Sequence, residues 1–254
     1  DGQPVTAHDL GADGAMAALL RDAFLPNLVQ TLEGAPALVH GGPFGNIAHG
    51  CNSVVATRML LRCADLVFTE AGFGFDLGAE KFLDIKCRAA GIWPQAIVLV
   101  VTLRALKVHG GVRPQDAGAP NLEALARGME NLDKHLESVR QFGIEPIVAV
   151  NLRDGDSPSE TRELVDHLQR IGIDAGAVDV YRRGGEGAVE LVRRIAERAS
   201  ASTAVPRFMY GLEDSTADKV RKVARAIYGA QDVDFTKTAA AQMARAEALG
   251  YGTL

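Results

Sequence analysis

The stretch QAIVLVVT, residues 95–102, holds six consecutive aliphatic residues and ends on a threonine. A run this long is far short of the ~18 to 20 residues that cross a bilayer, and it does not alternate with polar residues as a half-exposed strand does. It reads as a strand buried on both faces, the kind a parallel sheet covered by helices requires. Four similar runs are expected to be strands: PALVH at 36–40, DLVFTE at 65–70, PIVAVN at 146–151 and GAVDVY at 176–181.

Helical patterns lie between these runs. From Asn121 to Phe142, Leu122, Leu125, Met129, Leu132, Leu136 and Val139 recur at steps of three and four, which makes one apolar stripe. Shorter helices are expected over 52–64 with Asn52 or Ser53 as cap, 79–90 stopped by Gly91, 158–171 and 186–200. After Pro206 two more are expected, at 214–228 and 236–249, capped by Asp214 or Ser215 and by Thr236. Strand and helix alternating in this way imply an α/β fold with a parallel sheet flanked by helices on both faces, and ligands held at the carboxyl ends of its strands.

Bulk composition narrows the function. The 254 residues are 47% hydrophobic with a net charge of −5, and acidic and basic residues are interspersed, so no basic stripe marks nucleic-acid or membrane-surface binding. The amino end has no signal-peptide pattern, so a cytoplasmic protein is expected. Cys51, Cys63 and Cys87 form no CxxC pair and read as reduced thiols. The chain opens on Asp1 without methionine, on sequence that reads as the middle of a domain.

Glycine-rich segments follow four of the expected strands: HGGPFGNIAHG at 40–50, EAGFGFDLG at 70–78, RALKVHGG at 104–111 and YRRGGEG at 181–187. Arg104, Lys107, Arg182 and Arg183 sit in or beside these turns. Backbone N–H groups and cations gathered at strand ends suit phosphate or carboxylate, so the set is read as an anion-binding rim. GFGFDLG departs from the dinucleotide fingerprint, its third glycine coming one residue late, and GxxxxGK[ST] occurs nowhere in the chain. His40, His49 and His109 are too irregularly spaced for a metal site and read as hydrogen-bonding groups, with no metal expected. Glu80 reads as a helix-dipole residue, while Glu70 and Asp76 stay open. Phe73 and Phe75 read equally as a stacking platform or as core.

Longer stretches carry a resemblance. PNLVQTLEGAPALVHGGPFGNIAHGCNSVVATR, TEAGFGFDLGAEKFLDIKCRAAG, VTLRALKVHGG, PNLEALARGMENLDKHLESVRQFGIEPIVAVN, YRRGGEGAVELV and AIYGAQDVDF together resemble the middle of formate–tetrahydrofolate ligases, from about Pro4 to Tyr251. The resemblance implies ATP-dependent ligation of formate to tetrahydrofolate through formyl phosphate, with MgATP, formate and tetrahydrofolate as small-molecule partners, and a cytoplasmic homotetramer. It implies an incomplete large domain of P-loop-NTPase type over 1–140 and a smaller folate-side α/β domain with a helical tail over 141–254. Family members carry their P-loop lysine, and an arginine near formyl phosphate, upstream of the matching region, so the isolated chain is expected to be inactive.

Site residues follow position by position. Phe73, Arg104 and Lys107 are expected at the transfer site; His40, Gly41, Gly42, Phe44, Asn46 and His49 form a wall of the cleft, and Gly184 and Gly185 belong to the folate side. Tyr181 stands where the family has a tryptophan jaw, and Arg153 with Asp154 where it has Phe-Pro. Either side chain can stack on a planar ligand. The alternative is a non-catalytic paralogue that binds folate or assembles with full-length subunits.

Overall fold

The computed structural model describes residues 2–42, 49 and 51–253. The chain forms two compact units, Asp1–Gly91 with Phe208–Leu254, and Ile92–Arg207. The second is the α/β unit that the sequence anticipates. Its three strands, β3 (Ile97–Val101), β4 (Pro146–Asn151) and β5 (Asp174–Val178), run parallel in the order β3-β4-β5. Val148 and Val150 face one hydrophobic cluster with α4 (Leu103–His109), α5 (Leu122–Gln141) and α6 (Pro158–Arg170), through Leu106, Leu125, Leu132, Leu136, Leu164 and Leu168. Ile147 and Ala149, one residue out of phase, face Leu191 and Ile195 of α8 (Val189–Ser200) on the other side. Helices therefore cover both faces, as the unbroken aliphatic runs require.

The stripe on α5 buries Leu125, Met129, Leu132, Leu136 and Val139, and Asn121 caps the helix by accepting from the Ala124 amide. Gly128 and Gly110 explain how closely α4 packs on α5: a Cβ on Gly128 would lie 1.9 Å from the Leu106 carbonyl oxygen, and one on Gly110 1.8 Å from that of Ala124. Two expectations change in this unit. RALKVHGG is not a loop but the body of α4, capped by Thr102. GAVDVY stops being a strand at Val178 and turns into the short helix α7 (Val180–Arg183).

The first unit begins with α1 (Asp13–Leu20), then a hairpin of β1 (Asn27–Gln30) and β2 (Pro36–Val39), then α2 (Val54–Leu61). PALVH does form a strand, but β2 pairs antiparallel with β1 rather than in a parallel sheet. DLVFTE forms no strand at all, and Leu66 and Phe68 stay exposed. The 79–90 helix starts earlier and is distorted, with π-helical turns at Phe75–Ala79 and Phe82–Cys87 before a last turn, α3 (Arg88–Ala90), that ends on Gly91 in the left-handed conformation. The wider i→i+5 turn brings Phe82 and Cys87 to one face, so Phe82, Leu83, Asp84, Lys86 and Cys87 are all buried. The helical tail is as anticipated: α9 (Thr216–Ala226) and α10 (Lys237–Ala248) carry side-chain caps from Ser215 and Thr236.

The segment after Arg207 is tied back to the π-helical stretch. Arg88 lies over the Phe208 ring at 3.8 Å and donates to the Tyr210 carbonyl at 2.8 Å, while Asp84 accepts from the Met209 amide at 2.9 Å. Among the described residues no helix is long and apolar enough to cross a membrane.

Candidate functional site

In the α/β unit, the three strands deliver a polar cluster at their carboxyl ends. Arg104, in the first turn of α4 after β3, donates to the Asp154 carbonyl at 2.7 Å, and its Nε lies 3.9 Å from Asp156. The turn after β4 is closed by the Arg153 amide donating to the Asp156 carboxylate at 2.8 Å. From the turn after β5, Arg182 pairs with Asp154 at 2.5 Å. Arg153, Arg183 and Gly184 are exposed on this edge, and the Tyr181 ring is 81% exposed. Arg104 and Arg182 are thus engaged with Asp156 and Asp154, while Arg153 and Arg183 stand exposed beside an accessible aromatic, an edge that suits an anionic, partly planar ligand. Gly185 lies in a short turn of tighter helix, Gly184–Gly187, on the same edge.

Lys107 sits elsewhere. It lies just over one turn into α4, on its buried face, its ammonium 3.0 Å from Glu160 and 2.9 Å from the Ala119 carbonyl, with the Lys107 and Glu160 side chains each 1% exposed. Glu160 also accepts from the Asn121 amide at 2.5 Å, so its two oxygens lock α4, α6 and the cap of α5 together. The sequence signal nearest this pair, Ser157-x-x-Glu160, has capping-box spacing, yet Glu160 turns inward to the lysine. His109, at the last turn of α4, is exposed and away from the strand end.

The first unit holds the other expected residues. The amide of His40 donates to Asn52 at 3.2 Å, its Nδ1 lies 2.7 Å from the Ser53 hydroxyl, and its Nε2 lies 3.0 Å from the Ala23 carbonyl. A carbonyl only accepts, so Nε2 carries the proton and Nδ1 accepts from Ser53. The imidazole thus joins the end of β2 to the start of α2. Gly41, in the left-handed region at φ 73°, and Gly42 follow it exposed. Phe44 and Asn46 lie outside the described residues. His49 is held against Cys51, Nδ1 to Sγ 3.0 Å, and burial, with Lys86 and Lys81 nearby, moves its pKa down.

Phe73 stands out. Among the described residues it is the one non-glycine with positive φ, at 63°, and its ring is 70% exposed. A bulky side chain in the left-handed region is strained, and strain held beside an exposed aromatic points to use. Gly78 explains the loop: a Cβ there would lie 1.5 Å from the Gly72 carbonyl oxygen, so EAGFGFDLG folds tightly over its own helix start. Phe75 is buried, so the two phenylalanines divide into one exposed ring and one core residue.

Glu80 corrects the dipole reading. It is buried, and burial, followed by the charge of Asp84, pushes its carboxyl up to about 8. Asp84 is likewise raised by burial. Among the described residues no group of three His, Cys, Asp or Glu converges to hold a metal ion, so Mg²⁺ is assigned no residue of this chain.

The comparison with known proteins settles the family. A family model described as formate–tetrahydrofolate ligase matches residues 1–254. The chain belongs to the formate–tetrahydrofolate ligase family. A formate–tetrahydrofolate ligase of Myxococcus xanthus (strain DK1622) is 53% identical over 242 residues, covering 94% of this chain and 44% of that protein. One from Symbiobacterium thermophilum is 52% identical over 253 residues, covering 99% of this chain and 45% of that protein. The chain therefore spans less than half the length of the curated relatives it matches.

Proposed function

We infer that the chain serves an ATP-dependent ligation of formate to tetrahydrofolate. A formate oxygen attacks the γ-phosphorus and ADP leaves. The N10 amine of tetrahydrofolate then attacks the formyl carbon of formyl phosphate, loses its proton, and phosphate leaves to give 10-formyltetrahydrofolate. The observation that carries this reading is the family match along all 254 residues. The geometry supports it through two features, an arginine-rich rim at the carboxyl ends of β3, β4 and β5 and the strained, exposed Phe73.

In this reading Tyr181 offers a face to the folate ring system, with Arg153, Arg183 and the Gly184–Gly185 turn around it, and Arg104 holds the Asp154 turn in place. Phe73, His49, Gly41, Gly42, Phe44 and Asn46 form the wall beside the formyl group. Lys107 acts as a positioning residue, since it fixes α4 and α4 carries Arg104. The phosphates of ATP are held by a P-loop outside these residues, on a large domain of P-loop-NTPase type, in a cytoplasmic homotetramer. Positioning and electrostatic stabilisation of phosphoryl charge dominate such chemistry, and GxxxxGK[ST] is absent from this sequence.

The test is a product assay for 10-formyltetrahydrofolate with ATP, formate and tetrahydrofolate. The chain alone is expected to make none, and the chain joined to the P-loop-bearing part of a relative is expected to make it. Replacing Tyr181 by alanine in the joined form is expected to raise the KM for tetrahydrofolate by about 5- to 150-fold, the loss of about 1 to 3 kcal/mol of stacking. A joined form without activity overturns the ligase reading; product from the chain alone overturns the assignment of the ATP site elsewhere.

A further inference from the structure

Lys86 is the group whose chemistry remains unused. It lies on the second π-helical turn, 1% exposed, and its ammonium has no hydrogen-bond acceptor among the described residues. An uncompensated buried charge costs several kcal/mol, so a protein keeps one only where it is neutralised or answered from outside. Nothing around it answers it. The Phe82 ring offers only its face, 5.2 Å from the ammonium. The nearby thiols, Cys51 and Cys87, are buried and both are pushed up by that burial, Cys87 to about 12, so neither is a thiolate at neutral pH. Cys51 is already engaged with His49. Glu70 is the one anion that bears on Lys86, and its side chain is exposed, whereas Lys81 adds a second positive charge to the surroundings of His49.

The result is an electropositive interior spot beside His49 and Cys51, just ahead of α2. We propose that Lys86 is the interior anchor of a small-oxyanion site, where one carboxylate or phosphoryl oxygen takes the hydrogen bonds its ammonium does not make within the protein. Burial alone holds the Lys86 pKa down, with the neighbouring thiols and Glu70 opposing the shift. A docked anion reverses that: a negative charge in contact raises an amine's pKa by about 1 to 3 units. The site stands on this geometry, and its occupant rests on the ligase reading, in which formate and the formyl phosphoryl group are the small oxyanions at hand.

The experiment is a lysine NMR titration of the 254-residue chain labelled with ¹³C at the ε carbons, with the Lys86 signal assigned from the spectrum of Lys86→Met. Sodium formate and inorganic phosphate are added separately at constant ionic strength, with chloride as control. The expected result is a saturable shift of the Lys86 signal with one of the two anions, and a rise of its titration midpoint by about 1 to 3 pH units. A response to formate assigns the carboxylate, and a response to phosphate alone assigns the phosphoryl oxygens. Lys86→Met, which keeps the stem and removes the charge, is expected to melt no lower than the parent and to lose the anion-dependent rise in Tm. A Lys86 signal unmoved by both anions, or a Met variant that keeps the same anion-dependent rise, overturns the proposal. These readouts detect binding rather than turnover, so they stand whether or not the joined enzyme makes product.

Discussion

Two buried lysines answer the same physical problem differently in the two units. Lys107 is sealed in the α/β unit, with a carboxylate at 3.0 Å and a carbonyl at 2.9 Å. Lys86 is equally buried in the other unit and has no acceptor among the described residues. The contrast extends to the apolar side chains around them. The α/β unit closes two hydrophobic clusters around β4, all but one of whose residues are buried. In the other unit α1 buries none of its residues, β1 is exposed along its length, and Leu19, Phe24 and Leu32 face solvent. One unit closes its core and pairs its buried lysine; among its described residues the other holds an exposed aromatic on strained backbone, a buried lysine without an acceptor and two buried acids whose pKa values are raised. Features of the second kind are characteristic of surfaces that meet something else.

The largest effect that would test this contrast is expected at Glu160. Glu160→Leu leaves Lys107 charged and buried with one acceptor lost, and is expected to destabilise the α/β unit by about 3 to 5 kcal/mol in denaturant unfolding. Lys107→Met with Glu160→Leu is expected to recover most of it. Recovery by neither would mean that the pair is not the lock between α4 and α6. The mirror experiment, Lys86→Met, carries the opposite sign, because there the charge has no partner to lose.

A smaller effect is expected from pH. Glu80 and Asp84 have raised pKa values in the folded chain, mainly through burial, so the folded state holds their protons more tightly than the unfolded state does. The Glu80 contribution is complete below the ordinary glutamate value of 4.5 and is lost as pH rises through about 8, and Asp84 acts in the same direction. Thermal unfolding followed by the near-ultraviolet signal of Tyr210 and Tyr228 is expected to show the Tm of that unit falling over this window. Glu80→Gln is expected to flatten the dependence. An unchanged slope in that variant would remove the acid pair from the account.

The smallest expected effect tests the local caps. Ser53 accepts from the Ala56 amide at 3.0 Å and also meets His40. Ser53→Ala is expected to cost about 1 to 2 kcal/mol, and Thr236→Ala, which loses a cap alone, about 1 kcal/mol. Equal losses at the two positions would mean that the His40 contact adds nothing to the junction of β2 and α2.

Much of the α/β unit was legible because its signals are local. The α5 stripe, the aliphatic runs of β3 and β4 and the caps at Asn121, Ser215 and Thr236 each depend on residues a few positions apart. Two local readings failed where a stronger competing contact existed. The glycines of RALKVHGG looked like a loop, yet the first of them, Gly110, serves the close packing of α4 against α5. PALVH read as a parallel strand because its composition fits one, but the adjacent NLVQ segment pairs with it first. Of the rim, Arg104 and Arg182 were placed at strand ends from the order of runs, and Arg153 and Tyr181 from the family resemblance, while Lys107 was placed there wrongly in space because α4 carries it inward.

By itself, then, the sequence determined the alternation of strand and helix in residues 92–207, the helix caps, the family resemblance and the set of polar residues from which a site is built. Tertiary structure alone decided which charges are buried and what answers them. Lys107 meets a carboxylate 53 positions away, and Asp84 meets an amide 125 positions away. Lys86 is turned inward by a π-helical turn, and no pattern of period 3.6 announces such a turn. Burial sums contacts from the whole unit, and hydrogen bonds across such separations exist only once the chain has folded.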